Sequence, residues 1–208
     1  MNQFWPAQPQ IEMTNPIPNE TYISVDVETS GPYPGTYSLL AIGACVVDDP
    51  GKTFYVELKP ISGHTTEEAT AIHGLSMSGL AEHGLEPAEA MSLFKDWLAA
   101  QTPTGQRPIF IGFNAPFDWM FVNYYFHYFL GYNPFGHAAL DIKSFYMGLA
   151  GVSWAETTMR HVSPRYLNHQ HLTHQALRDA LDQADIFYKM LAEARNKDKN
   201  SSKNRCSP

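Results

Sequence analysis

The stretch Tyr22-Ile23-Ser24-Val25-Asp26-Val27-Glu28-Thr29-Ser30-Gly31 decides how this chain is read. Tyr22, Ile23, Val25 and Val27 are strand formers, and Ser30-Gly31-Pro32 is turn chemistry. Two acids interrupt the strand. Side chains alternate along a strand, so Asp26 and Glu28 project from the same face, side by side. Like charges that close repel, and burial raises the cost. A hard divalent cation between the carboxylates would relieve both. A strand end that tips two acids into solvent fits the same residues, so the pair alone leaves both readings open.

Working outward, Leu39–Val47 is an apolar run that stops at Asp48-Asp49-Pro50-Gly51, and Thr53–Leu58 alternates. This is a strand, a tight turn and a returning strand, so the chain opens with an antiparallel three-strand meander. Glu67–Ile72 reads as a short helix capped by Thr65 or Thr66 and ended by His73-Gly74. Pro87–Ala100 is a stronger helix, with Pro in the first turn and Ala90, Met91, Phe94, Trp97 and Leu98 on one stripe. Pro108–Phe113 reads as an interior strand. Asn114 is expected to cap a helix that runs, apolar nearly all round, to a C-terminal glycine at Gly131. Ala138–Ile142 is a last short strand, 143–150 is helical, and 151–172 reads as irregular because of Pro164, Asn168 and several His. Thr173 is expected to cap a final helix over about 174–194. Strands first, then helix and strand in alternation, predict a three-layer mixed α/β fold.

The 208 residues and the 44% apolar content suit one domain with a real core. Residues 1–20 read as a flexible N-terminal arm, 21–194 as the domain, and 195–208 as a disordered basic tail. That tail carries five Lys/Arg against one Asp, so the net charge of −7 leaves −11 on residues 1–194. A uniformly basic nucleic-acid coat is excluded; a local basic patch is not. Cys45 and Cys206 lie in an apolar run and a polar tail, which argues against a disulfide. The opening MNQFWPAQPQ lacks the charged and apolar regions of a signal peptide, and no apolar run reaches membrane-span length. The expectation is a cytoplasmic protein.

Three further places hold candidate site residues. Asp118 follows Asn114-Ala115-Pro116-Phe117 at the start of the apolar helix, where an acid also complements the helix dipole. His174-Gln175-Ala176-Leu177-Arg178-Asp179 opens the last helix; a spacing of five aligns His174 and Asp179 only if His174 stands at the helix entrance. The His at 161, 169, 171 and 174 raise zinc as a competing idea, but they lack accompanying Cys and a His-Glu-x-x-His helix.

Taken in order, Asp26-Val27-Glu28-Thr29, Asn114-x-x-Phe117-Asp118 and His174-x-Ala176-x-x-Asp179 resemble the histidine-containing (DEDDh) branch of the DEDD 3′–5′ exonucleases, the superfamily of ribonuclease T, oligoribonuclease and polymerase proofreading domains. The run LLAIGACVV and the tripeptide Ile72-His73-Gly74 are also similar, and the likeness covers about residues 21–194. The resemblance implies a ribonuclease H-like three-layer fold, a mixed sheet with its first three strands antiparallel and helices on both faces. It also implies phosphodiester hydrolysis with two divalent cations, Mg²⁺ or in its place Mn²⁺. By motif, Asp26 would bridge both ions, Glu28 and Asp179 would help hold one, Asp118 would serve the other, and His174 would be the general base. Thr29, Leu40, His73, Asn114 and Phe117 are the substrate-binding candidates by position, with Tyr33 and Tyr37 as stacking residues. The expected partner is the 3′ end of single-stranded RNA or DNA, and many relatives of this kind are homodimers. Two rivals belong to other classes: a catalytically silent nucleic-acid or protein-binding module, and an Asp-x-Asp phosphatase, which needs Asp where this chain has Glu28. A proofreading subunit keeps the chemistry but adds a polymerase partner; a stand-alone enzyme is the expectation.

Overall fold

The computed structural model describes residues 20–167 and 175–205, with the side chains of His73 and of 198–205 outside that description. Strands β1 (Glu20–Thr29), β2 (Leu39–Val46) and β3 (Asp49–Glu57) form the antiparallel meander that their alternation and turns predict. Two further strands, β4 (Arg107–Gly112) and β5 (Ala139–Asp141), add in parallel on the other side of β1, so the sheet runs β3-β2-β1-β4-β5. The helices are α1 (Glu67–His73), α2 (Met77–His83), α3 (Pro87–Gln101), α4 (Ala115–Leu130), α5 (Ile142–Ala150), α6 (Met159–Tyr166) and α7 (Ala176–Arg205).

The sheet separates two cores. On one face Ile23, Val25 and Val27 of β1 pack with Met91 and Phe94 of α3 and Phe121, Val122 and Phe126 of α4. Phe94 stacks on Phe54, Trp97 and Phe126, an aromatic cluster that binds α3 to α4 and to the sheet. On the other face Cys45, Val47 and Ile111 meet Ile142 and Tyr146 of α5, Val162 and Tyr166 of α6, and Ile186, Phe187 and Met190 of α7. This is the three-layer α/β architecture expected from the sequence and from the resemblance.

Four local features differ from the sequence reading. Segment 151–172, read as irregular, contains a 3₁₀ turn at Trp154–Thr157 and helix α6. Pro164 inside α6 argues against a helix, but tertiary contacts override it: Arg165 and Tyr166 both bond the Glu193 carboxylate of α7, and Lys189 donates to the Tyr166 carbonyl. Helix α2, too short for a periodic signal, is capped by the Ser76 hydroxyl, which accepts from Gly79 N–H. Asn114 occupies the cap position of α4 but makes no side-chain capping bond; its backbone is left-handed, φ 67°. The Asp141 carboxylate instead accepts from Ala115 N–H at 3.0 Å. Finally, α7 continues through residues that the sequence reading gives to the tail, as far as Arg205; Lys197 pairs with Glu193 one turn earlier and donates to the Leu149 carbonyl. Of the arm expected at 1–20, Glu20 begins β1 and 1–19 lie outside the described residues, as do the Thr173 cap and residues 206–208.

Candidate active site

Strands β1 and β4 run parallel and pair only over Glu20–Ser24. Beyond Ser24 β1 stays paired with β2 as far as Thr29, while β4 ends at Gly112 and the chain enters α4. This is the carboxyl end of neighbouring parallel strands, where open α/β sheets place their ligands. Asp26 and Glu28 lie on the part of β1 beyond its pairing with β4. With Val25 and Val27 turned into the α3/α4 core, alternation turns both acids to the α7 side. Their cross-strand partners on β2 are Gly43 and Ala41, so little side-chain bulk stands beside them. The register shifts between Glu28 and Thr29, a bulge that ends regular pairing at the acids.

Gly43 has a second consequence. A Cβ there would overlap the backbone of Ala176 and Leu177, so the start of α7 lies directly on the sheet. Glycine is what permits this contact, and it brings Asp179, one turn into α7, to the face that carries Asp26 and Glu28. Asp118 arrives from the opposite layer. It sits in the first turn of α4, and its Oδ1 accepts from Val27 N–H at 3.1 Å, which fastens the helix start to the strand between the two β1 acids.

The electrostatics show that these acids converge. Burial, then the charges of Asp118, Asp179 and Glu28, push the Asp26 carboxyl well above the usual carboxylate range. Burial and Asp179 raise Glu28 to about 7. Burial, opposed by the Val27 N–H bond, and then Glu28 and Asp141 raise Asp118 to about 8. Asp179 itself is almost fully buried. Burial and mutual repulsion therefore oppose ionisation of Asp26, Glu28 and Asp118, and nearby positive charge would favour it.

The sequence reading misses one contributor. Gln183 donates from Nε2 to Asp26 Oδ1 at 2.6 Å and accepts at Oε1 from Phe113 N–H at 2.8 Å. It thus ties the first acid to the end of β4. Its only sequence signal is its place four residues after Asp179, on the same helix face.

Whether this set suits divalent cations follows from its donors. All four are carboxyls, which is the hard oxygen chemistry of Mg²⁺ and Mn²⁺, and their mutual repulsion is what such ions relieve. Among the described residues no three His, Cys, Asp or Glu side chains already form a closed ligand set, and Asp26 and Asp118 each turn one oxygen to a protein donor. The residues fit the ions in donor chemistry, with one oxygen of Asp26 bonded by Gln183 and one of Asp118 by Val27 N–H.

The other candidates are placed as follows. Thr29 is buried and donates to the Gly31 carbonyl. Leu40 is fully enclosed in β2. Asn114 is exposed just before α4 on its left-handed backbone, and Phe117 is half-buried against Phe121. His73 closes α1, its side chain undescribed. Tyr33 is exposed and packs edge-on against Tyr37, whose ring covers Gly31. His161 bonds Thr158 on the surface. His174, with His169 and His171, lies outside the described residues.

Comparison with known proteins agrees with this geometry. The RNase T family model, described as exonuclease, matches residues 23–187. The chain is 48% identical over 168 residues to the 3′-5′ DNA exonuclease Cap18 of Escherichia coli, covering 81% of this chain and 90% of that one. Among solved structures, the nuclease domain of 3′hExo, a DEDDh family member bound to rAMP, superposes with a TM-score of 0.68 at 14% identity, covering 83% of this chain and 92% of the other. E. coli exonuclease I with a dT13 oligonucleotide gives 0.66 at 17% identity, covering 88% of this chain and 43% of the other. These two distant likenesses bear on the fold; the family assignment rests on the first two. Helices long and apolar enough to cross a membrane are absent among the described residues. With the family match spanning most of its length, the chain belongs to the RNase T exonuclease family.

Proposed function

We propose that the chain is a metal-dependent exonuclease that removes nucleoside 5′-monophosphates one at a time from the 3′ end of single-stranded DNA. The observation that carries this reading is the convergence of Asp26, Glu28, Asp118 and Asp179 from three separate elements: burial raises the first three, Asp179 raises two of them, and Asp118 bonds the strand between Asp26 and Glu28. DNA, rather than RNA, is chosen on the 48% identity to a DNA exonuclease.

Divalent cations held by these four carboxyls would supply Lewis acidity and offset the phosphate charge. The chain's own residues supply the rest. One oxygen of Asp26 is bonded by Gln183 and one of Asp118 by Val27 N–H, so these carboxyls are positioned in advance. His174 accepts the proton of the attacking water and needs to be neutral to do so. Phe117 and Asn114, at the start of α4, flank the terminal nucleotide, and Thr29 braces the turn that follows the acids.

The test uses 5′-labelled single-stranded DNA and RNA, each alone and annealed, with Mg²⁺ and then with EDTA. A ladder shortening by single nucleotides under Mg²⁺, abolished by EDTA and faster on DNA, is expected. His174→Ala should lower the rate by about 10²–10⁴-fold while leaving the thermal midpoint in place. Binding without shortening would overturn the enzymatic reading in favour of a silent module, and a His174→Ala variant of near wild-type rate would remove the general base.

A further inference from the structure

The chain passes from β4 into α4 through a very tight turn. Gly112 ends the strand, Ala115 begins the helix, and only Phe113 and Asn114 lie between. A Cβ on Gly112 would stand 3.3 Å from the Ala115 Cα and 3.4 Å from the Val25 carbonyl oxygen, so the helix start folds back closely on the sheet. Asn114 makes the reversal with φ 67° and ψ 42°, the only positive φ outside glycine among the described residues. A backbone of that kind persists where its surroundings hold it. The Asn114 side chain makes no capping bond, Pro116 has no N–H, and Phe117 N–H donates to the Asn114 carbonyl. The N–H of Ala115, itself buried, is taken by Asp141.

We propose that Asp141 is a positioning residue for the hydrolytic centre: through Ala115 it clamps the start of α4 to the edge of the sheet and so fixes where the Asp118 carboxyl stands. The inference rests on the exonuclease reading and adds to it a residue that touches neither substrate nor ion. Asp141 reaches α4 because it ends the short strand β5 in register with Gly112. Its two oxygens face different helices. Oδ1 accepts from Ala115 N–H at 3.0 Å, while Oδ2 accepts from Ser144 N–H at 2.9 Å and from the Ser144 hydroxyl at 2.6 Å, which caps α5. A carboxylate suits this place because it only accepts, and every group facing it donates. Capping α5 needs Oδ2 alone; Oδ1 is committed to α4. Ala115 and Asp118 lie three apart, both buried in the first turn of the helix. The turn is thus held twice, by Val27 N–H at the Asp118 carboxyl and by Asp141 at the Ala115 N–H. The Asp141 charge is also among those that raise the Asp118 carboxyl, which agrees with their closeness.

Asp141→Ser separates the two oxygens. A serine cap still accepts from Ser144 N–H, but its single short hydroxyl does not also reach Ala115. Asp141→Asn keeps an oxygen for Ala115 N–H while its amide donates to the Ser144 hydroxyl. Ser144→Ala removes a donor on α5 and leaves the Ala115 bond alone. The readouts are kcat and KM on a labelled oligothymidylate under Mg²⁺, the Mg²⁺ dissociation constant by calorimetry without substrate, and the melting temperature in EDTA. Asp141→Ser should lower kcat and weaken Mg²⁺ binding, each by about 10–100-fold, the scale of a lost outer support to a ligand. Its KM should stay within about twofold, since no substrate contact is removed. Asp141→Asn and Ser144→Ala should keep kcat and Mg²⁺ affinity within about threefold, even where their melting temperatures fall. Wild-type kcat and Mg²⁺ affinity in Asp141→Ser would overturn the clamp. So would an Asp141→Asn or Ser144→Ala variant as impaired as Asp141→Ser, because charge or the capping of α5 would then account for the loss. Should Asp141→Ser show no cooperative melt, Asp141→Thr repeats the comparison with a side chain suited to extended backbone. Collapse of both would make Asp141 a residue of the fold alone and equally overturn the proposal. A wild type that binds Mg²⁺ and trims nothing would sink the exonuclease reading instead; the Mg²⁺ constants still judge the clamp in that case.

Discussion

Asp26, Glu28 and Asp118 bind their protons more tightly in the folded chain than in an unfolded one, and that has a measurable sign. Glu28 rises to about 7 and Asp118 to about 8. Between the unfolded carboxylate range near pH 4 and these values, the native state holds protons that the unfolded state has released. Stability therefore falls as pH rises through that window, the reverse of a salt-bridged acid. In EDTA the melting temperature should drop steadily from pH 5 to pH 8, and Mg²⁺ should restore it at pH 8. Asp26→Asn should flatten the drop and abolish Mg²⁺-dependent cleavage. A melting temperature indifferent to pH and to Mg²⁺ would contradict the shared electrostatics. Gln183 makes a second case. Gln183→Met keeps the volume but leaves Phe113 N–H without its acceptor and Asp26 without its donor. Stability should fall by about 1–3 kcal/mol in denaturant melts, and kcat should fall more than KM rises, because the variant misplaces an acid and removes no substrate contact.

At the scale of elements, the sheet and the acids are legible in the sequence for the same reason. A strand's period of two is short enough that a few residues declare a face, so Asp26 and Glu28 can be paired without a structure. The meander follows from its turns, and α3 and α4 from their apolar spacing and first-turn prolines. What escapes is set by distant contacts. Helix α6 owes its existence to Glu193 and Lys189, residues on another helix, and Gln183 becomes a site residue only because β4 ends beside α7. The αL backbone of Asn114 is likewise hidden, since the bond that caps α4 comes from Asp141. Gly43 is legible as a glycine in a strand, but its reason is the α7 backbone against it. Gly43→Ala should push the start of α7 off the sheet. Turnover should fall by about 10²-fold, the order expected for a displacement near 1 Å, and stability by about 1–3 kcal/mol. A variant with unaltered kcat would mean that the close approach does not set Asp179.

For the whole molecule, charge is arranged against expectation. Residues 1–194 carry −11, and the basic surplus sits at 195–208. Part of that segment is the last turns of α7, anchored by Lys197 to Glu193 and Leu149. Charge at the end of a helix is screened within about 10 Å at 0.1 M salt. Removing residues 198–208 should therefore change KM for a long single strand less than about threefold at low salt and leave the melting temperature within a few degrees. A large loss of turnover on long strands would make the segment part of substrate capture.

The acids at 26, 28, 118 and 179 belong to β1, α4 and α7, and the last of them is in place only when α7 lies on Gly43. A ribosome delivers β1 first and α7 much later. A nascent or clipped chain can therefore build the meander and both strand acids and still have no hydrolytic centre. On the proposed reading, such a nuclease would be inactive throughout its own synthesis and again once α7 peels away, and its catalytic lifetime would match the lifetime of its fully folded state.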